Sequence, residues 1–287
     1  MRISAVLQQN LPQLARASAL DMGVRLHEHS AMTGLEGGAQ ARVRTTQGSV
    51  SADRVVIAIN AWMASTFREF ERNIAIVSSD MIITETAAAA LAAGGLDGGI
   101  SVLDSRTFVH YYRSTVDGRL MFGKGGNTFA YGGRMLPVFE QPSPYRADLT
   151  ERVRRFMPEL GRTAIAASWN GASDRSVTGL PFFGTLRGHG NVFYGFGYSG
   201  NGVGPSRMGG ELLASLALGL DNEWTRSPLV SGPRGKFPPE PIRFIGSLVV
   251  RNAIRRKEAA EDKGRRPTAL DIGLSRLAAS AGKADKG

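Results

Sequence analysis

The 287 residues contain no cysteine. That excludes disulfides, thiolate metal sites, a cysteine nucleophile and a cysteinyl link to a cofactor. Histidine is nearly as scarce, with four: His27, His29, His110 and His189. His27 and His29 alternate and share a face, but no carboxylate or third histidine stands at ligand spacing. They read as solvated strand positions, and no metal site is expected. No apolar run approaches the ~18 residues that would mark a membrane span. The opening Met1 to Asn10 has too short an apolar stretch for a secretory signal. A cytoplasmic chain is expected.

Positive charge is plentiful, +10 in all, but unevenly placed. From Pro241 onward, eleven Lys/Arg stand against five Asp/Glu, a net of +6. Basicity therefore belongs largely to a tail, and nucleic-acid binding is not expected of the core.

Along the chain, Leu11 to Met22 predicts an amphipathic helix with Pro12 in its first turn and Gly23 at its stop. Val24 to His29 alternates as a half-buried strand does. Two strands flank Gln47-Gly48, and Val55-Val-Ile-Ala-Ile59 suits a strand covered on both faces, ending in Asn60-Ala-Trp62. The middle reads differently. Asp80–Glu85, a hairpin about Asp117-Gly118 (Phe108–Ser114 with Arg119–Phe122) and Thr163–Trp169 are successive antiparallel strands, interrupted by a helix from Asp148 to Met157. Pro228 to Pro241 is a Pro/Gly-rich linker or surface-hugging arm. Beyond it, Ile242, Ile245, Leu248 and Val249 form a helical stripe expected to dock on the core.

The chemistry is concentrated in Tyr194-Gly-Phe-Gly-Tyr-Ser-Gly-Asn-Gly-Val-Gly-Pro-Ser206. A strand, Asn191–Phe196, precedes these glycines and a helix, Met208–Leu218, follows them. A glycine turn at a helix N-terminus presents backbone N–H groups to a flat or anionic ligand. Gly195-x-Gly197-x-x-Gly200 matches the dinucleotide fingerprint literally, but no second strand ending in an acidic residue follows, so an ordinary Rossmann turn is rejected. Gly123-Lys-Gly-Gly126 lacks the spacing of a P-loop.

Three stretches, in order, resemble FAD-dependent oxidoreductases of the D-amino-acid-oxidase/glycine-oxidase group. They are Gly23 to Leu35 with Val55 to Trp62; Trp169-Asn-Gly171 with Thr178-Gly-Leu-Pro-Phe-Phe-Gly184; and Phe193 to Gly204. The resemblance spans roughly Gln8 to Leu220. It implies an α+β fold, with an incomplete α/β FAD-binding part of glutathione-reductase type and an antiparallel substrate domain. The implied division is 1–75 and 171–227 for the FAD-binding part, 76–170 for the substrate domain and 228–287 for the tail. The implied activity is oxidation of a C–N bond in an amine or amino acid, with FAD as hydride acceptor. Carried over by position, Ala31 and Met32 would lie near the adenine, and Asn60, Ala61 and Trp62 beside the phosphates. Gly200, Asn201, Gly202, Val203 and Gly204 would follow the isoalloxazine, with Gly197, Tyr198 and Ser199 also among the cofactor-binding residues. His110, Tyr111, Tyr112 and Arg113 lie on the hairpin expected to roof the substrate, with His110 and Tyr112 as the substrate-binding candidates.

The sequence departs from the group twice. The opening strand, Gly-x-Gly-x-x-Gly turn and helix are not found, so an N-terminally truncated or split chain is expected, with a missing FAD-binding segment as its partner. The alternative is a non-catalytic remnant or partner-binding subunit unable to hold FAD alone. Where glycine-oxidase-like members place an arginine for the substrate carboxylate stands Ser173. Arg175, two residues on and so on the same face, is the substitute candidate, with Asp174 beside it as a potential neutralising charge. Asp174-Arg-Ser176 resembles a subgroup associated with aminophosphonate oxidation.

Overall fold

The computed structural model describes residues 5–279, with side chains from 13 to 278. Of the segments read above, Met1 to Ser4 of the opening and 280–287 of the tail lie outside them. The first helix, α1 (Ala5–Asp21), begins ahead of Leu11, so Pro12 falls inside it and not in its first turn. Gly23, at φ 83°, follows its end. Val24 to His27 is neither helix nor strand, Glu28 and His29 form a turn with His29 at φ 55°, no strand pairs with the segment among the described residues, and Val24 and Leu26 are exposed. Alternation alone does not make a strand: the backbone N–H and C=O groups also need a neighbour. Next, β1 (Met32–Glu36), β2 (Ala41–Thr45) and β3 (Ser49–Ala52) form a small antiparallel sheet with the expected turn at Gln47-Gly48.

β4 (Val55–Ile57) leads into Asn60 and α2 (Trp62–Thr66). It lies at a sheet edge, so Ile57 is buried while Val56 is 45% exposed, and the expectation of cover on both faces fails.

The middle is the antiparallel layer that the sequence predicts, but its strands are longer. β5 (Ile74–Thr84), α3 (Ala88–Ala93), β6 (Ser101–Leu103), β7 (His110–Ser114), β8 (Leu120–Phe129), α4 (Arg146–Phe156) and β9 (Ile165–Ser176) follow in turn. The sheet order is β6-β7-β8-β5-β9. One face is closed by a core of Ile82, Leu120, Phe122, Leu149 and Val153, in which α4 contributes its apolar side. The other face carries Ala75, Val77, Ser79, Met81, Ser173 and Arg175, because directly paired residues share a face.

β10 (Phe182–Thr185) and β11 (Val192–Phe196) complete a three-stranded sheet, β10-β11-β4, in which β11 runs parallel to β4 with Val192 opposite Val55 and Tyr194 opposite Ile57. All five residues of β11 are buried. The glycine segment then turns into α5 (Pro205–Leu218), which ends on Gly219 at φ 68°, the left-handed conformation that stops helices.

The Pro/Gly arm hugs the surface. Phe237 N–H donates to Arg72 O at 2.7 Å, and Asn73 Nδ2 donates to Gly235 O at 3.0 Å. α6 (Ile242–Glu261) and α7 (Ala269–Ala279) follow. α6 does dock on the core, but not by the predicted stripe, since Ile242, Ile245 and Val249 are exposed. Its buried positions are Arg243, Ala253, Ile254 and Glu258. Arg243 Nη2 lies 2.7 Å from Glu240, and its Nη1 reaches Glu71 O at 2.5 Å. Glu258 meets Lys124 Nζ at 3.4 Å, with both side chains almost fully buried. Asp262 takes Arg106 and Arg155, and Asp271 of α7 takes Arg256. Much of the tail's charge is thus spent inside the molecule. Among the described residues no helix is long and apolar enough to cross a membrane.

Breaking one partner of a buried pair leaves the other charge uncompensated, at about 3–5 kcal/mol. Glu258→Ala should therefore shift urea unfolding strongly, and Lys124→Met combined with Glu258→Leu should recover most of the loss. Equal midpoints for wild type and Glu258→Ala would remove the pair from the tail's anchorage.

Candidate active site

Two loops leave the C-terminal ends of two adjacent parallel strands, the usual ligand edge of such sheets. From β4 comes Asn60-Ala61-Trp62. Asn60 sits at φ 49°, a region asparagine tolerates better than most residues. From β11 comes Gly197 to Gly204. Gly197 has φ 86° and Gly200 φ 89°, where a side chain is strained, and a Cβ on Gly197 would press to 2.6 Å of the Phe182 ring.

The second loop is fastened to β9. Asp174 turns away from Arg175, because neighbours on a strand point to opposite faces. Its carboxylate accepts the Gly197 N–H and, at 3.3 Å, the Ser199 N–H. Ser199 Oγ in turn accepts the Ser176 N–H at 3.1 Å, and Arg175 forms an isolated antiparallel bridge with Tyr198. Burial pushes the Asp174 carboxyl up to about 6, against the lowering by the Gly197 and Ser199 N–H groups. Asp174 anchors the loop and leaves Arg175 to the open face.

On that face, a Cβ built on Gly200 would lie 3.4 Å from Ser173 Oγ and 3.9 Å from Arg175 Nη2. Asn60 Nδ2 reaches Ala172 O at 3.5 Å, which brings the β4 loop to the same spot. Ser173 Oγ is buried without a hydrogen-bond partner among the described residues. A buried orphan hydroxyl beside a glycine loop is what a bound polar ligand would satisfy. A Cβ on Gly204 meets nothing within 4 Å, and Val203 and Trp62 are 60% and 42% exposed. The loop's outer side and the start of α5 therefore have room for a planar group.

Arg175, Asn60 and the Gly197–Gly204 loop are thus brought together. Ala61 is fully buried beneath its loop, and Met32 packs half-buried against the core cluster that holds Ala61 and Ile57. His110 is not brought to the loop. It lies on the opposite face of the sheet, 1% exposed, with Nδ1 2.6 Å from Asp104 and Nε2 3.3 Å from Arg152. Burial pushes its imidazole below the ordinary value, with Lys124 acting in the same direction against Asp104. Tyr112 borders the cleft that holds Val203, but its ring stacks on Phe122 at 5.8 Å. Tyr111, between the two on the same hairpin, does face the loop's side of the sheet. Its hydroxyl lies 2.5 Å from Ser79 Oγ, and burial pushes it up to about 12. Period-two alternation gives two choices of face for a hairpin, and only the register decides. No cluster of three His, Asp or Glu able to hold a metal occurs among the described residues.

Residues 8–216 match the family model described as FAD dependent oxidoreductase, DAO. A probable oxidoreductase OrdL of Haemophilus influenzae is 28% identical over 77% of this chain and 50% of its own length. Gamma-glutamylputrescine oxidoreductase of Escherichia coli is 30% identical over 69% of this chain and 44% of its own. The chain thus spans about half the length of the curated relatives it matches. The crystal structure of glycine oxidase from Geobacillus kaustophilus superposes with a TM-score of 0.62 at 20% identity, covering 78% of this chain and 58% of that one.

The raised Asp174 pKa gives a pH signature. An acid with a higher pKa folded than unfolded contributes stability below its unfolded pKa of about 4 and loses it as pH rises through about 6. The difference in Tm between wild type and Asp174→Asn should therefore swing against wild type across that interval. A parallel pair of Tm profiles from pH 4 to 6.5 would show that Asp174 does not titrate there.

Proposed function

The chain belongs to the DAO family of FAD-dependent oxidoreductases, and within it we propose that this polypeptide supplies the flavin-ring contact and substrate face of an enzyme oxidising a C–N bond of an amine or amino acid. The observation that carries the reading is the unpartnered Ser173 Oγ beside Gly200. It marks a polar contact at the meeting point of loop, β9 and Asn60. FAD held along this loop supplies the acceptor for a hydride from the substrate carbon.

The chain's own groups prepare that site. Loop N–H groups and the N-terminal end of α5 favour negative charge on whatever planar group lies against Gly200 to Gly204. Arg175, on the open face, offers a two-pronged donor to a substrate carboxylate or phosphonate, a role that Asp174 does not oppose because it faces the other way. Ser173 adds a hydroxyl to the same anion. Tyr111, its hydroxyl kept protonated by burial, serves as a hydrogen-bond donor or acceptor for orientation and not as a base. Trp62 flanks the far end of the loop pair. The diphosphate half of FAD needs a further cradle, and we propose that polypeptide outside the described residues provides it. A partner-binding subunit that contributes only the ring contact is the second reading. It is favoured by the open edge of β4.

The test is to titrate the purified chain with FAD and follow absorbance near ~450 nm, then add amino-acid and aminophosphonate donors. Binding with bleaching supports the enzyme, bound flavin that no donor bleaches rejects it, and no bound flavin favours the partner-binding subunit. Gly204→Ala has an ordinary backbone and open space for its methyl. It should leave Tm unchanged and weaken flavin binding roughly tenfold, about 1.4 kcal/mol.

A further inference from the structure

The apolar stripe that the sequence assigns to the core stands on the outside of α6. Ile242, Ile245 and Val249 form one i, i+3, i+7 row and are 62%, 56% and 46% exposed. The helix binds the body through its other side, with Arg243, Ala253, Ile254 and Glu258 buried. The outward row therefore contributes nothing to that docking, and aligned aliphatic side chains in water mark a contact surface. Arg256, further along the same row, meets Asp271 at 2.7 Å, so α7 stands beside this face. Next to Asp271, Leu270 is 68% exposed.

The charges around the row do not balance. Every Asp and Glu from Glu240 to Asp271 is already engaged. Glu240 takes Arg243, Glu258 takes Lys124, Glu261 takes Lys257, Asp262 takes Arg106 and Arg155, and Asp271 takes Arg256. Cations are left over. Lys236 lines one cleft with Ile242, at the start of the row. Arg265 and Arg266 stand in the connection to α7, and Arg276 on α7 itself. All four are exposed, and none makes an ion pair among the described residues. An aliphatic row with uncompensated cations at its ends complements a surface that is anionic outside and apolar beneath. A nucleic acid would satisfy the cations but offers nothing to Ile245 and Val249.

We propose that the outer face of α6, with the connection to α7, docks on an anionic lipid surface. Ile242, Ile245 and Val249 enter the boundary between headgroups and acyl chains, while Lys236, Arg265 and Arg266 meet lipid phosphates. No described helix is long and apolar enough to cross a membrane, so α6 lies in the plane of the interface. Three aliphatic side chains are a weak anchor alone, and a second, electrostatic signal is what makes such contacts hold. The association is reversible and weakened by salt. The residues involved lie beyond the family match, which ends at 216, and the proposal is independent of the flavin reading above.

The experiment sediments the full chain, without added flavin, with vesicles of phosphatidylcholine alone or of phosphatidylcholine and phosphatidylglycerol in equal parts. Binding to the anionic vesicles should be tighter by roughly tenfold or more, and raised salt should weaken it. Ile245→Ser with Val249→Ser should abolish it at unchanged Tm, because both positions are exposed. Arg265→Gln with Arg266→Gln should weaken it roughly fivefold per charge removed and flatten its salt dependence. Equal binding to neutral and anionic vesicles, or anionic-vesicle binding indifferent to the Ile245/Val249 pair, would overturn the proposal. Binding to a duplex DNA oligonucleotide with none to either vesicle would overturn it too, and assign the cations to a phosphate polymer.

Discussion

One carboxylate holds the two halves of this site together. Asp174 reaches from β9 of the large antiparallel sheet to the N–H groups of Gly197 and Ser199, on the loop that leaves the small mixed sheet. The glycines let the loop bend, but bending freedom alone would leave it with many conformations. The carboxylate, with the Ser176–Ser199 contact and the Arg175–Tyr198 bridge, selects one of them. Everything that faces the ligand depends on that choice: the Ser173 hydroxyl, the Arg175 guanidinium and the open side of Gly204. The cost of burying Asp174 is visible in its raised pKa, which the loop N–H groups only partly offset.

The tail shows the same logic on a larger scale. It follows the matched region, yet it is joined to the body through charged groups at both ends of α6, Arg243 on Glu71 and Glu258 on Lys124. Apolar contact is interchangeable, whereas the Arg243 contact with Glu71 at one end and the Glu258–Lys124 pair at the other tie the helix to two particular places on the body.

Local backbone demands were the most legible part of the sequence. Asp117-Gly118 predicted its hairpin, Gly219 its helix stop, and the run from Gly195 to Gly204 a loop made for close approach. That Arg175 shares a face with Ser173 was legible too, through the two-residue period of a strand. What stayed hidden was the choice between faces. His110 and Tyr112 share one side of β7, Tyr111 and Arg113 the other, and nothing within the hairpin says which side meets the loop. α6 hid its docking face for a related reason: its apolar stripe was the obvious candidate, while the buried side carries Arg243 and Glu258, whose partners lie more than a hundred residues away in the chain. Asp174 was overlooked because its neighbour Arg175 suggested a local charge pair, and only the pleat separates them.

The edge of β4 bears on the fate of the chain in a cell, apart from any chemistry it performs. Val56 is exposed there, and Leu14, Leu20, Met22, Val24 and Leu26 are exposed in the segment before it. An unpaired strand edge with apolar side chains nearby is a surface that other copies of the chain, chaperones and proteases all recognise. The lifetime and abundance of this polypeptide are therefore governed by what covers that edge. Its amount would follow the supply of the covering strand, as the amount of an orphan subunit follows that of its mate.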